Sequence, residues 1–185
     1  MHDVMIDLET LSTRNDAAIL SIGACLFDIE TGEIGPTFHR HIEMDDSPLR
    51  GHISADTVKW WLKQNDAARQ EITKKGMRLS SALADLFNFC PRAKSTKLWS
   101  NGATFDLVII RNALDRYDYT VPWQYWQERD TRTLVDIAER ITGINASKTI
   151  PFDGTKHDAL ADAIHQAQYI SRAYNLIRTY TQTTL

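Results

Sequence analysis

Apolar residues along this chain first follow strand patterns and later switch to helical ones. The run Val4-Met5-Ile6-Asp7-Leu8-Glu9-Thr10 is apolar, ends on acidic positions, and reads as a strand. Residues 18–27 read as a second strand, residues 28–33 as a polar turn, and residues 37–42 as a third strand. Short turns between consecutive strands imply an antiparallel meander. Residues 44–51, broken by Pro48, carry neither period and predict a surface loop.

Helical spacing takes over from there. Ser54, Asp56 and Thr57 are N-cap candidates for a helix whose Val58, Trp61 and Leu62 share one face, with Trp60 off it. Residues 67–75 predict a second helix, and residues 80–87 start a third after Gly76. Residues 97–100 read as a short strand that stops at Asn101-Gly102. Residues 105–117 then form a helix with Leu107, Ile110 and Leu114 on one face and Asp106 in its first turn. Residues 122–126 are aromatic and irregular, 131–141 helical, and 142–155 a loop punctuated by glycine and proline. A last long helix begins near Asp158. With no repeat, low-complexity tract or linker, one α/β domain over residues 1–185 is expected.

Composition narrows the partners. The formal net charge is −3 and no five like charges run together, so the extended basic footprint of a duplex-binding protein is absent. Any nucleic-acid contact must be local. Cys25 and Cys90 lie far apart in apolar surroundings, which predicts reduced core thiols and a cytoplasmic setting. Met1-His2-Asp3 does not open a secretory leader, and no apolar stretch reaches the roughly 18 residues of a membrane span.

The chemistry starts with Asp7 and Glu9. Two apart on a strand, they point to one face, where their repulsion calls for a hard divalent cation. A solvated strand end would explain the pair alone equally well. Asp106 follows the fourth strand, and His157 and Asp162 flank the start of the last helix. Asp7, Glu9 and Asp106 all fall at carboxyl ends of strands, where open α/β sheets build their sites. Small apolar residues around Asp162 let that helix approach the sheet closely. His39 and His41 share a strand face but lack a third ligand, so an exposed strand is expected there.

These residues resemble the DEDD superfamily of 3′-to-5′ exonucleases, in its histidine form. Asp7-Leu8-Glu9 is similar to the first exonuclease motif, Asn101-Gly102-Ala103-Thr104-Phe105-Asp106 to the second, and His157 with Asp162 five positions later to the third. The position of Asn101 and the segment Asp56-Thr57-Val58-Lys59-Trp60-Trp61 resemble the branch of phage DexA-type, exonuclease VIII-like and mycobacterial RNase AS proteins. The resemblance implies an RNase H-like fold: a mixed five-stranded sheet, its first three strands a meander, with helices on both faces.

It also implies a two-metal hydrolase that releases nucleoside 5′-monophosphates from a nucleic acid with a free 3′ end. Asp7, Glu9, Asp106 and Asp162 would hold two Mg²⁺ ions, replaceable by Mn²⁺, and His157 would be the general base. Thr10 and Leu11 would meet the terminal nucleotide, with Leu11 as an apolar wedge; Asn101 would join them. Phe105 and Trp60 are stacking candidates for a single strand. Relatives often form homodimers, and Trp123, Tyr125 and Trp126 would suit an interface or the core equally. DNA and RNA are not distinguished, since that choice rests on 2′-hydroxyl contacts. Two other readings compete: a His-Asp metal phosphohydrolase, disfavoured by the opening strands, and a catalytically silent binding module on the same fold.

Overall fold

A computed structural model describes residues 1–45, 51–102 and 104–183. Strands β1 (Asp3–Thr10), β2 (Ile19–Phe27), β3 (Ile34–His41), β4 (Lys97–Ser100) and β5 (Glu128–Asp130) form one sheet in the order β3-β2-β1-β4-β5. The first three are an antiparallel meander, while β4 pairs parallel with both β1 and β5. The helices are α1 (Ala55–Leu62), α2 (Asp66–Thr73), α3 (Leu79–Phe89), α4 (Asp106–Arg116), α5 (Thr131–Thr142) and α6 (Ala159–Thr183). The expected loop at 44–51 falls mostly on positions 46–50, outside the described residues.

Strand alternation divides the core. Val4, Ile6 and Leu8 pack with Leu79, Leu83 and Leu86 of α3 and Leu107 and Ile110 of α4. Met5, Cys25 and Phe27 pack on the opposite face with Val135 of α5 and Ala163, Ala167 and Ile170 of α6. Helices therefore cover both faces, and the odd positions of β1 look toward α6. Asp7 and Glu9 occupy those positions. Apolar burial drives both layers.

Three local differences from the sequence reading have physical causes, and one alternative that it left open, for Trp123, is decided. Leu62 was expected on the buried face of α1 but is 64% exposed, because Trp61 is the buried residue of this short helix. His39 and His41 are half-buried rather than exposed: their rings lie 4.5 Å apart, and His39 Nδ1 is 4.0 Å from Asp158 Oδ2. Trp123 belongs to the core and donates to Glu128 Oε1 at 2.8 Å, which leaves only Tyr125 and Trp126 of that aromatic cluster exposed. Strand β5, Glu128-Arg129-Asp130, is short and fully charged, so no alternation reveals it. Both cysteines are free and buried, and burial pushes each thiol up to about 12. No described helix is long and apolar enough to cross a membrane.

Candidate active site

Gly23 determines how the site assembles. It pairs with Asp7 in the β1–β2 register. A Cβ at Gly23 would lie 2.1 Å from the backbone carbon of Ala159 and 2.3 Å from the nitrogen of Leu160. The first turn of α6 thus rests directly on the sheet where only glycine leaves room. Ala159, Ala163 and Ala167, all fully buried, continue the close approach. Asp158 accepts from the backbone N–H of Ala161 at 2.9 Å and starts the helix.

This contact brings α6 to the carboxylates of β1. Ligand atoms of Glu9, His157 and Asp162 all lie within 4.8 Å of one another. Asp162 Oδ2 accepts from the backbone N–H of His157 at 2.9 Å, and His157 has a left-handed φ of 66°. That conformation is uncommon outside glycine. The His157 ring stands edge-to-face with Trp60 at 4.9 Å and Trp61 at 5.9 Å. Asp106, 2% exposed, accepts from the Leu8 N–H at 3.1 Å, which ties the start of α4 to β1.

Electrostatics makes the cluster costly as it stands. Burial, then Asp106, Glu9 and Asp162, raises the Asp7 carboxyl well above its ordinary range. Burial, then Asp162, Asp106 and Asp158, pushes Glu9 up to about 9. Asp106 is pushed up by burial to about 7, against the Leu8 N–H and the Arg132 charge. Asp162 rises to about 6 by burial, opposed by the His157 N–H. His157 moves the other way: burial and the Lys156 charge lower it, keeping the imidazole neutral at neutral pH.

A cavity of about 490 Å³ opens beside the cluster, lined by Glu9, Thr10, Ser12, Thr13, Ser54, Thr57, Trp60, Trp61 and Phe105 among others. Thr10, Trp60 and Phe105 therefore line this space. Leu11 does not. It is 4% exposed and packs with Ala18, Leu20, Trp61 and Ala68. Its N–H donates to Ala18 O and its carbonyl accepts from Ser54 N, because the chain folds inward beneath α1 after leaving β1. Asn101 also lies elsewhere: its Oδ1 accepts from Thr131 and Arg132, lining a separate cavity with Tyr169.

Two participants escaped the sequence reading. Gln166, 5% exposed, donates from Nε2 to Asp7 Oδ1 at 2.7 Å. Its spacing four residues after Asp162, on the same helix face, was the available signal. Gly23 was the other, since a glycine inside an apolar strand marks a close backbone approach.

Residues 2–174 match the family described as the 3′-5′ exoribonuclease Rv2179c-like domain. The chain belongs to this family. It is a 3′-5′ exonuclease on an RNase H-like fold. An exodeoxyribonuclease of Enterobacteria phage T4 is 25% identical over 166 residues, covering 74% of this chain and 71% of the phage protein. Among solved structures, cell-death related nuclease 4 aligns with a TM-score of 0.68 at 11% identity, over 94% of this chain and 64% of that one. This exonuclease thus spans just under two thirds of that protein. The nuclease domain of 3′hExo, a DEDDh family member bound to rAMP, aligns with a TM-score of 0.58 at 14% identity, over 94% and 91% of the two chains. S. pombe Pop2p, in a form with Mg²⁺ and Mn²⁺ bound, aligns with a TM-score of 0.60 at 12% identity, over 92% and 82%.

Proposed function

We propose that this chain is a single-domain, divalent-metal-dependent exonuclease that trims a nucleic acid from its 3′ end, with His157 as general base. The observation that carries the reading is the convergence of Glu9, His157 and Asp162 within 4.8 Å, joined electrostatically by Asp7 and Asp106. Convergence of all five groups also argues against a silent module.

The donor set fits a hard cation. Four clustered carboxylates, all held above the ordinary range first by burial and then, for Asp7 and Glu9, by their acidic neighbours, match oxygen-ligand chemistry. Asp7, Glu9, Asp106 and Asp162 would hold two Mg²⁺ or Mn²⁺ ions. Bound there, these ions would acidify a water and neutralise charge on the phosphoryl and departing oxygens.

The remaining work falls to the chain. His157, neutral and held by Trp60 and Trp61, accepts the proton of the attacking water on an imidazole nitrogen. Phe105 and the exposed part of Trp60 offer surfaces for the terminal bases, and the cavity has room for one nucleotide. Leu11 supports Trp61 from below rather than touching substrate.

A 5′-labelled oligonucleotide incubated with Mn²⁺ should shorten from its 3′ end in single-nucleotide steps. Asp7→Ala should abolish the ladder, and His157→Ala should slow it by about 10²–10⁴-fold. Undiminished activity in both variants sinks the reading. The family's description names a ribonuclease and the phage relative a deoxyribonuclease. Matched RNA and DNA substrates assign the sugar.

A further inference from the structure

We propose that Gln166 is a positioning residue of the metal centre, fixing Asp7 through its amide N–H and presenting its Oε1 to a donor that arrives with the hydrated cation. This rests on the metal-dependent reading above. Nothing in the sequence motifs includes Gln166, and its role comes from the geometry alone.

Three observations carry it. Gln166 lies on α6 one turn beyond Asp162, so one rigid helix supplies both a carboxylate and this amide. Its Nε2 donates to Asp7 Oδ1 at 2.7 Å, in the short range of bonds to a charged acceptor. Its Oε1 is buried and has no hydrogen-bond partner among the described residues. Once Asp7 is ionised, as a metal ligand must be, the amide cannot be reversed, because its oxygen would then repel the carboxylate.

A buried acceptor without a donor is unfavourable, and natural interiors rarely leave one. Here the residue sits against a carboxylate that itself waits for positive charge. Water carried by a divalent ion donates and cannot accept, which is the chemistry Oε1 lacks. Gln166 would thereby hold the Asp7 carboxylate oriented before the ion arrives and complete its own hydrogen bonds afterwards. Partners of this kind, one step removed from a metal, commonly change its affinity by 10–100-fold.

Titration calorimetry of Mn²⁺ into the full chain, without nucleic acid, tests this. Gln166→Met keeps the side-chain length and removes both hydrogen-bonding atoms. It should weaken Mn²⁺ binding about tenfold or more. Its thermal midpoint in EDTA should stay within a few degrees of wild type, and its exonuclease rate should recover as Mn²⁺ is raised. Gln166→Asn keeps the amide but falls one methylene short, and should lose affinity similarly. Wild-type affinity in the folded Met variant overturns the proposal; should that variant fail to fold, wild-type affinity in Gln166→Asn does so. A wild-type chain that binds no Mn²⁺ overturns the metal-dependent reading itself, which a changed variant cannot mimic.

Discussion

Glu9→Gln is expected to stabilise the metal-free protein while removing its activity, and the stabilisation should grow with pH. Glu9 is 8% exposed, and burial with three neighbouring carboxylates pushes it from 4.5 up to about 9. For an acid raised in the folded state, stability is full below the unfolded value and falls as pH climbs through the folded one. At pH 8 the folded chain holds a proton that the unfolded chain has lost. At about 1.4 kcal/mol per unit, the interval from 4.5 to pH 8 sets a ceiling of about 5 kcal/mol. Asp7, Asp106 and Asp162 share the repulsion, and one proton relieves them all, so on the order of 2–4 kcal/mol is expected.

Glutamine keeps the size and stays neutral at every pH. Urea melts of metal-free wild type and variant should therefore nearly coincide at pH 5 and separate in the variant's favour at pH 8. Saturating Mg²⁺ should restore the wild type but leave the variant much less affected. An equal effect at both pH values, or a variant weaker than wild type at pH 8 without metal, would refute the strained cluster.

The other predictions concern the scaffold around it. Gly23→Ala drives a methyl into the Ala159 backbone and should cost about 1–3 kcal/mol or more in urea melts, with a fall in Mn²⁺ affinity because α6 carries Asp162. Unchanged affinity would detach the helix contact from the site. Leu11→Ala should destabilise by about 2–5 kcal/mol, as a buried leucine does. A wedge that served substrate alone would instead raise KM and leave the melt untouched. Trp60→Ala should lower kcat by releasing His157, with Trp60→Phe recovering most of it; a change confined to KM would mean that Trp60 only stacks on bases.

How much could be read in advance depended on the kind of signal. Long apolar strands and amphipathic helices declared themselves: β1, β2 and α4 lie within a few residues of where alternation and helical spacing put them. The carboxylates were legible because strand period alone puts Asp7 and Glu9 on one face. β5 was not, because a charged three-residue strand is stabilised by its pairing with β4 rather than by its own pattern. Leu11 misled for a similar reason: its side chain follows the turn after β1, which tertiary packing decides. Asn101 sits in the motif but bonds to α5, at residues 30 and 31 positions away along the chain, which spacing cannot reveal. Gln166 and Gly23 were visible as letters but acquired meaning only once α6 lay across β1 and β2.

Anomalous diffraction from crystals of the active protein soaked in Mn²⁺ tests the central claim most directly. Peaks are expected among the carboxylates of Asp7, Glu9, Asp106 and Asp162, and should disappear in Asp7→Ala. An active protein with no anomalous density between those four side chains, or with manganese only at His39 and His41, would contradict it.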